Sequence, residues 1–283
     1  MKVSIIITAY NVEEFIARAV DSALAQDYPN IEVVVVDDCS TDGTSEILAQ
    51  YGDKIRVVKH EVNQGAGMAR RNGIKASTGD FALTLDADDW LDSDLISKLV
   101  AVQQETQAEI VSGGVTVERT NGAYDVHCYG SKIVSDPRER ITSFLVEKVK
   151  FMNNKLIARR LLDAVEYCER RFIEDTPTII PMLFLAEKFA YAPTVGYHYL
   201  DNPKSLTHTA DRFKWALYCA CADLDIIKFM EQQEYDGLND IMANALMKDA
   251  NTINSLQPTA EQVSAHQDAW NYYSTEIIKR TAE

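Results

Sequence analysis

The chain has 283 residues, 46% of them hydrophobic and 25% charged, enough to bury a substantial core and too apolar for a disordered tail. Its 28 Lys plus Arg stand against 43 Asp plus Glu, a net charge of -15 that repels a phosphate backbone and excludes nucleic acid as an expected partner. The five cysteines, Cys39, Cys128, Cys168, Cys219 and Cys221, are odd in number and lack the spacing of a zinc site, which predicts reduced thiols and a cytoplasmic protein.

The opening run from Val3 to Ala9 reads as a strand and is too short for a signal sequence. Four more short runs rich in β-branched residues follow: Ile31 to Val36, Ile55 to His60, Phe81 to Leu85 and Glu109 to Gly113. Between the first two, Val12, Phe15, Ile16, Ala19, Val20, Ala23 and Leu24 fall on one apolar stripe of a helix. The alternation predicts an α/β fold, a mostly parallel central sheet flanked by helices. Polar turns at Tyr10-Asn11, Asp37 to Gly43 and Asp86 to Trp90 then collect at the carboxyl ends of the strands, where open α/β sheets bind ligands.

After Gly114 the pattern changes. Val115 to Glu118 and Tyr124 to Tyr129 flank an Asn121-Gly122 turn, which signals a hairpin. Helical and irregular pieces run to about residue 210, and from Asp211 onward Trp215, Leu217, Tyr218, Leu224, Ile227 and Phe229 supply the apolar faces of a helical extension. Nowhere do about 18 uncharged apolar residues occur together, so no membrane-spanning helix is expected.

Three stretches carry chemistry. The strand from Phe81 ends in three carboxylates, Asp86, Asp88 and Asp89, within four positions, and like charges so close repel unless a cation or a proton relieves them. Mg²⁺ or Mn²⁺ suits such oxygen ligands and bridges carboxylates to substrate phosphates; the alternative is a solvated acidic turn that caps the helix starting near Asp92. The second strand runs into Asp37 and Asp38, either of which can accept from a uracil-like base, and Thr41 or Asp42 can cap the next helix. The glycine-rich stretch from Asn63 to Gly73 enters a helix but lacks the spacing of a dinucleotide loop.

In order and spacing, Y-N-V-E after the first strand, V-V-D-D-x-S-T-D-G after the second, N-x-G-x-G-x-A-R and L-D-A-D-D-W resemble the family-2 glycosyltransferases of the GT-A fold, over about residues 1 to 100. Farther on, Asn154-Lys155-Leu156 resembles that family's N/G-K-L segment, and Phe172-Ile173-Glu174-Asp175 its F-x-E-D segment. Tyr197-His198-Tyr199 with Ser205 resembles its Y-x-Y…S pattern. Two positions depart from it: Ala9 stands where a Pro is common, and Arg71 where an Asn is usual.

The resemblance implies a GT-A, Rossmann-like sheet and three segments: residues 1–114 for the nucleotide sugar, 115–210 for the acceptor and catalytic base, and 211–283 as the C-terminal helical region. It implies that Ala9, Tyr10 and Asp38 line the nucleobase pocket and that Asp86 faces the ribose, with Asn11, Glu13, Arg70 and Ala87 completing the donor site. Asp88 would hold Mn²⁺ or Mg²⁺ on the donor diphosphate, and Asp175 would be the general base of an inverting transfer to an acceptor hydroxyl. Lys155 and Glu174 are read as acceptor or phosphate contacts, within a basic stretch of Lys148, Lys150, Lys155, Arg159 and Arg160 whose alternative is a charged helix surface. His198 is read either as a further metal ligand or as a structural histidine.

The implied partners are a nucleotide-sugar donor, with uridine favoured, and a glycan or lipid-linked acceptor at the inner membrane face, with peripheral membrane association. A haloacid-dehalogenase-like phosphotransferase is disfavoured because Cys39 and Trp90 break its Asp-x-Asp-x-Thr/Val pattern. A nucleotidyltransferase expects a glycine-rich loop after the first strand, where Ala9 to Val12 supply none, and a non-catalytic nucleotide-binding subunit is the third alternative.

Overall fold

The β-branched run Val3–Ala9 forms β1, whose residues are almost all buried because the strand lies in the middle of a sheet covered on both faces. A computed structural model describes residues 1–147, 151–202, 205, 208 and 210–281. After β1, α1 (Ile16–Leu24) buries Ile16, Ala19, Val20 and Ala23. It starts later than the apolar stripe suggests, because Asn11 takes φ +52° and residues 12 to 15 form a turn closed by Val12 O.

The chain continues through β2 (Ile31–Asp37), α2 (Thr44–Ala49), β3 (Arg56–Lys59), α3 (Ala66–Ala76), β4 (Phe81–Asp86), β5 (Trp90–Leu91), α4 (Leu95–Thr106) and β6 (Ile110–Arg119). β7 (Tyr124–His127) pairs antiparallel with β6 across the expected turn, where Gly122 takes φ +83°. Then come β8 (Lys132–Val134), α5 (Pro137–Leu145), β9 (Lys155–Ala158), α6 (Arg159–Ala164), α7 (Asp175–Leu185) and β10 (Phe189–Asp201). The helical extension comprises α8 (Arg212–Gln232), α9 (Asn239–Leu256), α10 (Ala260–Ala265) and α11 (Gln267–Thr281). Asp211 caps α8 by accepting from the Lys214 N–H.

Among the described residues the sheet has ten strands in the order β3-β2-β1-β4-β9-β6-β10-β5, with β7 beside β6 and β8 beside β10. It is parallel over β3-β2-β1-β4, as expected, and mixed beyond, because β9 enters antiparallel between β4 and β6. One face packs Ile5, Ile7, Val33 and Val35 against α1 and α4. The other packs Ile6 and Val34 against α3 and joins the core built by α5, α6, α7, α8 and α9. A third cluster, with Phe213, Leu217, Leu224, Ile253 and Tyr273, ties α8, α9 and α11 together. No helix among the described residues is long and apolar enough to cross a membrane.

Candidate active site

The carboxyl ends of β1, β2 and β4 lie side by side, with Ala9 paired to Asp37 and Thr8 to Asp86, so the three polar turns open on one edge. Ala9 is buried and its carbonyl accepts the Asp38 N–H at 2.8 Å, while the next residue, Tyr10, is 49% exposed. Asn11 Oδ1 accepts from the Thr41 N–H and Glu13 Oε2 from the Gly43 N–H, so these two side chains latch the 40–43 turn. Neither Thr41 nor Asp42, the two residues expected to cap α2, holds the N-cap position, which is Gly43; Asp42 accepts from the Thr44 N–H one residue beyond.

Asp38 is buried and its oxygens already work: Oδ1 accepts from Gln64 N–H at 2.8 Å and sits 2.7 Å from His60 Nδ1, and Oδ2 accepts from Gly65 N–H at 2.7 Å. It anchors the glycine-rich stretch and leaves a lone pair on Oδ2 for a base N–H. Gly65 takes φ +88° at the start of α3, a conformation that favours glycine. At Gly67 a Cβ would lie 2.5 Å from Cys168 O and 3.2 Å from Glu174 Cγ, so only glycine lets α3 approach the segment carrying Glu174.

That approach brings Arg70 of α3 into the centre. Its buried guanidinium donates through Nη1 to Glu174 and Asp175, 104 and 105 positions later in the chain, and through Nη2 to Asp86, 16 positions later. Asp86 also accepts from Thr8 Oγ1 at 3.2 Å and from Asn153 Nδ2 at 2.7 Å. Asn153, which Thr84 orients by donating to its Oδ1, was not singled out from the sequence; no local pattern links it to Asp86. Asp175, with 19% of its side chain exposed, is held above the ordinary carboxylate range by burial, with Arg70 opposing and Glu174 and Asp86 reinforcing. The Met152 N–H also donates to it. Directly before Glu174, Ile173 takes φ +56°, a left-handed conformation that a β-branched residue holds only when its surroundings impose it.

Beyond β4, Ala87 is buried and the Asp88 carboxyl is pushed up to about 6 by burial and then by Asp86. Asp89 turns inward instead: Tyr197 Oη donates to Oδ2 and the Leu200 N–H to Oδ1 at 2.9 Å. Arg18 donates to Asp88 O at 2.6 Å and lies 3.7 Å from the centre of the Trp90 ring. Trp90 in turn stacks on His198 at 4.9 Å. Asp88 supplies hard oxygen donors beside a second carboxylate, which fits a divalent cation. Among the described residues no three His, Cys, Asp or Glu side chains converge on a metal, so such a cation would draw most of its ligands from phosphate and water.

One expectation is corrected, and His198 takes the second of its two readings, that of a structural histidine. Lys155 is fully buried, with Nζ donating to Glu147 Oε2 at 3.2 Å, Phe151 O at 3.1 Å and Asn154 Oδ1 at 2.8 Å. Glu147 also accepts from Tyr191 Oη, so Lys155 neutralises a core carboxylate and meets no phosphate or acceptor. His198 has Nδ1 3.0 Å from Glu118 Oε1 and Nε2 3.0 Å from Asp92 Oδ1, which leaves neither nitrogen for a metal. Of the remaining basic stretch, Arg159 donates to Ile74 O and Gly79 O, and Arg160 to Glu109. Lys148 and Lys150 lie outside the described residues.

The chain is 28% identical over 219 residues to the glycosyltransferase GlyA of Streptococcus pneumoniae, covering 73% of this chain and 31% of GlyA. It is 27% identical over 272 residues to the succinoglycan biosynthesis protein ExoO of Rhizobium meliloti, covering 92% of this chain and 77% of ExoO. The chain thus spans about a third of GlyA's length and three quarters of ExoO's. The crystal structure of S. aureus TarS 1–349 in complex with UDP-GlcNAc superposes with a TM-score of 0.68 over 96% of this chain and 79% of TarS 1–349, at 22% identity, a likeness of fold. The Glycosyl transferase family 2 model matches residues 4–165, more than half of the sequence. A chain that carries this family's pattern along the carboxyl edge of a GT-A sheet, with Arg70 joining its two halves, belongs to glycosyl transferase family 2.

Proposed function

We propose that this chain moves a sugar from a nucleotide-diphosphate sugar, with uridine as the base, to an acceptor hydroxyl in glycan or polysaccharide assembly, and inverts the anomeric centre. The observation that carries the reading is the convergence of Asp86, Glu174 and Asp175 on Arg70, next to Asp88. UDP-GlcNAc in the TarS crystal supports a UDP-sugar donor.

In the reaction, the acceptor oxygen forms a bond to the anomeric carbon as the bond from that carbon to the diphosphate oxygen breaks. The acceptor proton passes to Asp175, whose raised pKa makes it a stronger base than an ordinary carboxylate while Arg70 keeps it in reach of ionisation. Ala9, Tyr10 and Asp38 receive the base and Asp86 the ribose. Asp88 would hold a Mn²⁺ or Mg²⁺ ion, which would supply Lewis acidity for charge developing on the diphosphate. A lipid-linked or cell-envelope glycan at the inner membrane face is the acceptor class that suits such a reading.

The test is Asp175→Asn. Donor affinity, measured by calorimetry with UDP and Mn²⁺, should stay within about threefold, while transfer falls at least about a hundredfold, because the amide keeps the shape but loses the basicity. Near-normal transfer would move the base elsewhere, Glu174 first.

A further inference from the structure

The helical extension grips the segment just before Asp175 from outside the sheet. Phe172, buried, has its ring 5.4 Å from Trp215 and 5.6 Å from Tyr218, both edge-on, and Lys214 Nζ lies 4.7 Å from its centre. All three partners belong to α8. Two residues earlier, Arg170 pairs with Asp225 of α8 and lies over the Tyr272 ring of α11, while Tyr272 Oη donates to the same Asp225 carboxylate.

The other side of the segment is held by the first half of the chain. Arg171 Nη2 donates to Asn63 O at 2.8 Å, and Gly67 packs against Cys168 O. Between the two grips sits Ile173 at φ +56°. Such a backbone costs about 1–3 kcal/mol and persists only where neighbouring contacts over-determine it. Neither grip touches Asp175 directly, so the contacts act on where its carboxylate points.

We infer that Trp215 and Asp225 are positioning residues for the catalytic base, and that the C-terminal helices serve the reaction by fixing residues 170–174 in the strained turn that aims Asp175 across Arg70. This rests on Asp175 being the base. Displacing a catalytic group by about 1 Å can lower a rate a hundredfold without touching substrate contacts. Phe172 alone packing on Trp215 would be ordinary core; the second, ionic grip at Arg170 and the left-handed Ile173 between them make the arrangement a clamp.

The experiment uses the full chain with Trp215→Ala, Trp215→Phe and Asp225→Asn. Trp215 is 41% exposed, so its truncation opens no core cavity. Amide hydrogen exchange over residues 168–175 should speed up at least about tenfold in Trp215→Ala and Asp225→Asn, and return toward the parent in Trp215→Phe. Affinity for UDP with Mn²⁺ should stay within about twofold. With UDP-GlcNAc and other UDP-sugars as donors, and p-nitrophenyl glycosides as acceptor probes, kcat should fall about tenfold. Adding Trp215→Ala to Asp175→Asn should lower kcat no further, since the displaced group has already lost its function. Unchanged exchange in both variants, or kcat and UDP affinity falling together, would overturn the inference. If Asp175→Asn alone transfers normally, the base assignment fails, and the exchange measurement still decides whether the clamp exists.

Discussion

The proposed donor side and the proposed base side of this site are held by opposite means. On the donor side, Asn11, Glu13 and Asp38 satisfy backbone N–H groups of neighbouring turns, so the site is built from the ends of adjacent parallel strands. On the base side, Asp175 opens α7 after a strained residue and depends on Arg70 from α3, Met152 before β9 and, through Phe172 and Arg170, on α8 and α11. Local design makes the first region robust, and long-range design makes the second sensitive to changes far from the chemistry.

After the loss of transfer expected for Asp175→Asn, breaking the donor side should have the next largest effect. Asp88→Ala should reduce UDP affinity in Mn²⁺ by at least about tenfold, roughly 1.4 kcal/mol, and leave the thermal midpoint close to the parent's, because the carboxylate makes no structural ion pair among the described residues. In the parent, Asp88 gains its proton as pH falls through about 6, and only the ionised form can meet a cation. UDP–Mn²⁺ affinity should therefore drop below about pH 6, and the drop should vanish in Asp88→Ala. Calorimetry at pH 5 and pH 7.5 checks both, and equal affinity of parent and variant at both pH values would remove Asp88 from the site.

The same division explains what was legible in the sequence. Asp86, Asp88 and the 37–43 turn were readable because a strand period that stops in carboxylates already says which edge they occupy. Asp175 was readable through family resemblance, but its partners were not: nothing near Arg70 says that it will reach Glu174 and Asp175, 104 and 105 positions later. Lys155 misleads for a related reason. A lysine in an acidic chain reads as exposed, and only the fold shows Glu147 and Tyr191 waiting beside it in the core. The helical extension was legible as helices and silent as to purpose, since an apolar stripe does not name what it covers.

Gly67→Ala probes the junction between the two regions. Its methyl group would meet Cys168 O at 2.5 Å, a backbone atom that cannot swing aside, and would press on Glu174. Overpacking of this kind costs about 1–3 kcal/mol, so the thermal midpoint should fall by roughly 2–10 °C and transfer should fall more than UDP affinity. Thermal melts beside calorimetry separate these effects; a variant that loses UDP affinity and keeps its kcat would show the strain relaxing toward the donor side instead.

The smallest effect is expected where neither region is touched. Asp223, inside the helical extension, has its carboxyl pushed up to about 7 by burial and by Asp249, with Lys248 opposing. An unfolded aspartate titrates near 3.9, so between about pH 4 and pH 7 the folded chain holds a proton that the unfolded chain has released. The stability this contributes is present in full below about pH 4 and is lost as pH rises through about 7, beyond which the fold carries a buried charge next to a second carboxylate. Asparagine keeps the shape and cannot ionise. Asp223→Asn should then raise the thermal midpoint by roughly 2–4 °C at pH 8 and change it little at pH 5. Transfer should be unaffected if the extension acts on the site only through Trp215 and Asp225. A change in kcat without a change in midpoint would mean that the charge of Asp223 reaches the base segment through α8, and the extension would then be part of the site's electrostatics as well as its scaffold.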